Sequence, residues 1–143
     1  MTAITVRIAQ AADADVLARL STQLGYPADS VAMPARLERL ERDANARAFV
    51  ALSGDAVVGM ATIHLRYTMN HESPIAQLTL LVVDESVRTR GVGRALVQAA
   101  EQFARERGAK RINVTTALQR SDAHAFYERI GYVLTGRRYG RNF

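Results

Sequence analysis

A central mixed, twisted sheet flanked by helices on both faces, an α/β fold of the α+β kind, is what this sequence predicts, on three observations. Hydrophobic periodicity switches between strand-like and helix-like in the order strand, two helices, three strands, helix, strand, helix, strand. The three consecutive strands can pair antiparallel, whereas the strand–helix–strand unit over residues 78–116 calls for a right-handed parallel crossover. Residues 78–93 run from nearly continuous apolar character into charge and two glycines one residue apart, ahead of a strongly amphipathic helix. No linker, repeat or low-complexity stretch interrupts the order, so residues 1–143 read as one domain.

Residues 4–9 alternate Ile4, Val6 and Ile8 against Thr5, Arg7 and Ala9, as a half-buried strand does. Asp13 can cap a helix carrying Val16, Leu17, Leu20 and Leu24 on one face, and Gly25 stops it. After the turn Tyr26-Pro27-Ala28-Asp29, a second helix starts at Asp29 or Ser30 and runs through Arg42. Pro34 stands early in it, where its missing amide costs least, and Leu37 and Leu40 face inward. A short strand over 48–52 passes through a hairpin turn at Ser53-Gly54-Asp55 into a longer strand over 57–67. Gly59 near the start of that strand suggests a bulge or a close backbone approach.

The polar stretch 68–74 is expected as an exposed loop before the central strand at 75–83. The amphipathic helix over 94–107 ends at Gly108, and residues 110–116 alternate into another strand. Ser121 caps a helix over 122–130, Gly131 ends it, and residues 132–141 read as one or two closing strands.

With 143 residues the chain can bury a real core without staples. It has no cysteine, which excludes disulfides and thiolate metal sites. No metal is expected. It also lacks an apolar run near the ~20 residues of a membrane span and the basic-then-apolar order of a signal peptide, so a cytoplasmic protein without a membrane partner is expected. The net charge of +5 comes mainly from arginine within 36–47, 88–94, 105–120 and 137–141. These arginines form no unbroken basic run and have little aromatic interleaving, so a polyphosphate ligand or a solvated surface suits them better than nucleic acid.

Arg88-Thr89-Arg90-Gly91-Val92-Gly93 lies between the central strand and a helix. Glycines let a backbone approach closely, and the open amides of a helix start point at an anion. The turn lacks the Gly-Lys-Ser/Thr end of a P-loop, and Leu96 stands where a dinucleotide-binding fingerprint has its third glycine. The spacing Arg-x-x-Gly-x-Gly, with Val83 before it and Leu96 after it, resembles the acetyl-CoA motif of the GNAT superfamily of N-acyltransferases. A second landmark, residues 123–132 (Ala-His-Ala-Phe-Tyr-Glu-Arg-Ile-Gly-Tyr), is similar to that family's late helix. The element order matches the family from Ile4 to the C-terminus.

The resemblance implies a GNAT-like fold and an acetyl-CoA-dependent N-acetyltransferase. The amides of Arg88, Thr89, Arg90, Gly91, Val92, Gly93 and Arg94 would hold the cosubstrate's pyrophosphate, aided by the helix dipole. A Cβ at Gly91 or Gly93 would stand where phosphate oxygens must come. The backbone of Leu81, Val82 and Val83 would pair with the pantetheine amides like an added strand. That arrangement requires the central strand to splay from the strand over 110–116, which the family achieves with a bulge. Phe126 would pack on the pantetheine arm, and Tyr127 would give its phenol proton to the departing thiolate.

An alkyl amine with a pKa of about 10 is mostly protonated at neutral pH and needs a base before it can attack. Many relatives carry a glutamate on the central strand; here the strand offers Gln77, Thr79 and Leu80, with no carboxylate before Asp84 and Glu85. An ordered water chain, or one of His64, His71, Glu72 and His124, is left for that role. Arg120 stands where relatives often have asparagine, and Glu85 where proline is frequent.

Within the superfamily, residues 120–127 and the strand over 57–67 with its following His71 are most similar to the aminoalkylphosphonate acetyltransferase group, which carries histidine at the positions of His64 and His71. The acceptor would lie near residues 26–30 and the 68–73 loop. Arginine and histidine there suit an acidic acceptor; Glu72 and Asp29 suit a cationic one such as an aminoglycoside or polyamine. A small-molecule primary amine is the favoured acceptor. A noncatalytic acyl-CoA-sensing domain and a basic nucleic-acid-binding module are the alternatives. Many relatives pair through their C-terminal strands, so a homodimer is compatible with the resemblance.

Overall fold

The computed structural model describes residues 3–87, 91–116 and 121–143. By its internal contacts the chain divides into two compact units, Met1–Asn113 and Val114–Phe143, each described here by itself.

The first unit holds β1 (Ile4–Ile8), α1 (Ala14–Leu24), α2 (Met33–Arg42), β2 (Ala46–Ser53), β3 (Ala56–Arg66), β4 (Ile75–Val83) and α3 (Val92–Glu106), and reaches into β5 (Ile112–Val114). The five strands form one sheet in the order β1-β2-β3-β4-β5, with β1 to β4 antiparallel in succession. The central strand lies where its apolar run placed it, and β5 is its sheet neighbour after α3.

Strand alternation sends the sheet's side chains to two faces, and each face has its own helical cover. Val50, Met60 and Val82 are register partners and pack with Leu17 and Leu20 of α1 and Met33 and Leu37 of α2. On the opposite face, the buried stripe Val92, Leu96, Val97, Ala100 and Phe103 of α3 covers the sheet. Phe49 meets Phe103 edge to face at 6.5 Å, and the guanidinium groups of Arg47 and Arg107 stand 4.7 and 4.8 Å from the Phe103 ring centroid.

Gly59 shows why no side chain is tolerated beneath the start of α3. A Cβ there would stand 3.0 Å from Leu96 Cδ1, 3.0 Å from Val92 Cγ1 and 3.1 Å from Val82 O. A register shift accompanies it: Ala51 pairs Gly59 while Leu52 pairs Val57, so Val58 is the extra residue. Both halves of the expectation for Gly59, a bulge and a close approach, are met.

Helix ends follow their stop signals. Gly25, Gly108 and Gly131 all take positive φ after α1, α3 and α4 (Ser121–Arg129). Asp29 Oδ1 accepts the Ala32 amide at 2.8 Å in the turn leading into α2, and Pro34 is the second residue of that helix.

Three expectations need correction. Asp13 does not cap α1 with its side chain. Its carboxylate instead accepts the Gln10 amide at 2.8 Å and both guanidinium nitrogens of Arg7 at 2.8 and 3.0 Å, because a short 3-10 turn over Ala11–Asp13 precedes the helix. The strand expected over 110–116 is the three-residue β5. Residues 132–141 form no strand: an alternating sequence becomes one only where a neighbouring strand completes its ladder, and here the segment is exposed at Val133, Leu134 and Tyr139.

The second unit contains α4 and this C-terminal segment, where Arg138 donates to Thr115 Oγ1 at 3.2 Å. Among the described residues no helix is long and apolar enough to cross a membrane.

Candidate active site

The site is built outward from β4. At its far end, Leu81, Val82 and Val83 pair with Ala61, Met60 and Gly59 of β3. Val82 is buried toward α1 and α2; Leu81 and Val83 are half-buried. β5 meets β4 near the opposite end, where the Ala76 amide donates to Arg111 O at 3.0 Å.

Beyond Val83 the chain is clamped before it turns. The Asp84 amide donates to Val58 O at 2.8 Å, so the bulge on β3 holds the first residue after the strand. The buried Asp84 carboxylate accepts the Ser86 amide at 3.1 Å, the Ser86 hydroxyl at 3.0 Å and Arg19 of α1 at 2.9 Å. These bonds, the Ser86 amide foremost and then Arg19, hold the carboxyl below the usual aspartate range against the opposing effect of burial. Glu85 donates its amide to Gln23 Oε1 of the same helix at 3.3 Å.

Arg88, Thr89 and Arg90 lie outside the described residues. Gly91 follows at φ 79° and is the N-cap of α3. A Cβ there would meet nothing within 4 Å, so within this chain glycine is needed for its left-handed backbone. The first intrahelical bond is donated by Ala95 to Gly91 O at 3.1 Å, which leaves the amides of Val92, Gly93 and Arg94 without an intrahelical acceptor. Arg94 is exposed, Gly93 half-buried, and Val92 buried under the sheet beside Gly59.

The middle of β4 carries a feature that periodicity could not reveal. Thr62 pairs Leu80 and Ile63 pairs Leu78, so Thr79 is an extra residue in the ladder. Its hydroxyl lies 2.6 Å from Thr62 Oγ1, 3.0 Å from His64 Nδ1 and 3.3 Å from Thr62 O. Thr62 and Leu80 also line a cavity of about 210 Å³ under α1 and α2, whose walls include Leu17, Ser21, Met33 and Met60. A larger hollow of about 420 Å³, lined by Ala35, Arg36, Arg39 and Arg42 among others, is an open groove along α2.

The four candidate bases are thus in distinct settings. His64 is half-buried on β3 and tied to the bulge. His71 is exposed and shares a 3.0 Å bond with Thr68 of its own loop, and Glu72 is exposed beside it. His124 is half-buried on α4 in the second unit, three residues before Tyr127 and on the same side of that helix. Tyr127 is buried at 9% exposure, with its ring 5.2 Å from Phe126 and 5.7 Å from Tyr132. Its carbonyl accepts the Tyr132 amide at 2.9 Å, so the turn after α4 folds Tyr132 back onto it. Thr62, Thr79 and Arg19 were given no role by the sequence, because contacts across strands leave no local pattern. Among the described residues no group of three or more His, Cys, Asp or Glu could hold a metal ion.

Comparison with known proteins places this architecture. The chain is 37% identical over 90 residues to the aminoalkylphosphonate N-acetyltransferase of Salmonella typhimurium, covering 63% of this chain and 58% of that enzyme. It is 29% identical over 141 residues to the aminoglycoside N(6′)-acetyltransferase type 1 of Stenotrophomonas maltophilia, covering 96% and 92% of the two chains. Its fold superposes on an aminoglycoside N-acetyltransferase solved in complex with CoA with a TM-score of 0.88 at 19% identity, covering 100% and 96%. Residues 14–132 match the model of the acetyltransferase (GNAT) family. The chain therefore belongs to the acetyltransferase (GNAT) family, whose cosubstrate is acetyl-CoA.

Proposed function

We propose that this protein transfers the acetyl group of acetyl-CoA to the primary amine of a small molecule, by direct attack within a ternary complex. The observation that carries the reading is the run from β4 into the left-handed Gly91 and α3, inside the segment that matches the family. The two relatives compared above are named for small amine-bearing acceptors, aminoalkylphosphonates and aminoglycosides, which supports a small molecule over a macromolecular acceptor.

In this reading the amides at the start of α3 and the turn before it, with Arg88, Arg90 and Arg94, bind the pyrophosphate, while Leu81, Val82 and Val83 offer main-chain bonds to the pantetheine amides. Phe126 packs on the pantetheine arm. The acceptor amine, once neutral, attacks the thioester carbonyl carbon; the C–N bond forms, the C–S bond breaks, and the thiolate takes a proton from the Tyr127 phenol. The tyrosine is then restored by the proton that the amine released.

The test is thiol release from acetyl-CoA over a panel containing 2-aminoethylphosphonate, kanamycin, spermidine and a peptide with a free N-terminus. One of the small amines is expected to turn over. Binding of acetyl-CoA without turnover of any would identify a sensing domain instead. Tyr127→Phe is expected to lower kcat by about 10²-fold with acetyl-CoA affinity nearly unchanged; undiminished kcat would remove Tyr127 from the mechanism.

A further inference from the structure

We infer that His64, oriented by the bulge residue Thr79, is the general base that deprotonates the acceptor amine; the inference rests on the transfer reaction proposed above. In this assignment the Thr79 hydroxyl donates to the Thr62 carbonyl, 3.3 Å away, which can only accept. With that proton so placed, the Thr79 oxygen accepts from its two other neighbours, Thr62 Oγ1 at 2.6 Å and His64 Nδ1 at 3.0 Å. In this arrangement His64 carries its proton on Nδ1, and Nε2 holds the lone pair of a base. When Nε2 takes a proton, the Nδ1–H to Thr79 bond persists, so the ring gains charge without moving.

The same bulge puts this base at the reacting end of the strand. If pyrophosphate sits at the start of α3 and pantetheine runs back along Val83, Val82 and Leu81, the acyl end points toward Leu80 and Thr79. Those residues are one and two positions further, about 7 Å at the strand rise. An ordinary register would send successive side chains to opposite faces; the extra residue lets both the Thr79 hydroxyl and Leu80 meet the Thr62 side of the sheet. The glutamate missing from β4 is thereby replaced by a histidine on β3, reached through a threonine.

The residues facing His64 are uncharged or cationic. Its cross-strand partners are the uncharged Ala46 and Gln77, the charged residue on its own strand face is Arg66, and α2 contributes Arg36 to the lining of the adjacent cavity. His71 is bonded within its own loop.

The step balances simply. The ammonium N–H bond breaks and its proton passes to Nε2; the freed lone pair forms the C–N bond as the C–S bond breaks, the nitrogen gives its second proton to the Tyr127 phenolate left by protonation of the thiolate, and the imidazolium returns its proton to solvent. The experiment compares pH profiles of kcat/KM for wild type, His64→Gln, His64→Ala, Thr79→Val and Thr79→Ser, using whichever panel amine wild type acetylates, with melting temperatures as a fold control. His64→Gln is expected to lower kcat about 10²-fold or more and to leave a residual rate that rises with pH as the neutral fraction of the amine grows, and added imidazole is expected to restore part of the His64→Ala activity. Thr79→Val should lower kcat while Thr79→Ser retains it. A folded His64→Gln enzyme keeping its kcat, or His64→Ala unresponsive to imidazole, overturns the assignment and leaves the transfer reaction standing. Failure of wild type to acetylate any amine overturns both.

Discussion

Gly59→Ala tests how closely α3 is set onto the sheet. The added Cβ would lie 3.0 Å from Leu96 Cδ1 and Val92 Cγ1 and 3.1 Å from Val82 O, against an optimum of about 3.5–4.0 Å for carbon contacts. The two side-chain ends can yield by a few tenths of an ångström, but the carbonyl belongs to β4 and yields only if the strand moves. Overpacking of this kind costs about 1–3 kcal/mol. Replacing glycine in a strand recovers roughly 0.5–1 kcal/mol of chain entropy, which leaves a net loss of about 0–2.5 kcal/mol, centred on roughly 1 kcal/mol. For a chain of this length 1 kcal/mol moves Tm by about 3 °C, so calorimetry should show a drop of about 3 °C. Leu96→Ala alone should cost about 2–5 kcal/mol, and the double variant should be less destabilised than the sum by at least about 0.5 kcal/mol, because truncating Leu96 makes room for the new methyl. A Tm for Gly59→Ala above wild type would refute the close-approach argument, and strict additivity would show that Leu96 does not cause the strain.

Two further outcomes follow from buried carboxylates. Arg7, through its hydrogen bonds, holds the Asp13 carboxyl below the usual aspartate range, so its contribution to stability is full above the unfolded value near 3.9 and fades as pH falls through the lower folded value. Asp13→Asn should therefore cost about 1.5–3 kcal/mol at pH 7 and flatten the loss of stability measured by urea titration below about pH 4; an unchanged acid slope would show that another group sets it. Asp84→Asn, which weakens the grip of Arg19 and Ser86 just before the glycine turn, should raise the acetyl-CoA dissociation constant by calorimetry about 3- to 10-fold (~1 kcal/mol) with a smaller change in kcat. Unaltered affinity would mean the Asp84 clamp has no part in cosubstrate binding.

Elements whose information is local were legible in the residues themselves. The β4 limits, the glycine stops after α1, α3 and α4, the hairpin at Gly54 and the left-handed Gly91 ahead of α3 all follow from periodicity and backbone freedom, which neighbouring residues encode. Asp13 misled because a carboxylate ahead of a helix has two satisfactory uses, and the choice depended on Arg7 lying within reach across the turn. The closing strands misled for the converse reason: alternation describes what a segment could pair with, and pairing needs a neighbour the sequence does not specify. Tertiary structure alone decided the Thr79 bulge, the tie from Thr79 to His64 and the Arg19–Asp84 clamp, since each joins residues at least 15 positions apart and depends on register. A single extra residue in β4 turns a hydroxyl toward an imidazole on β3, and hydrophobic pattern carries no signal for that.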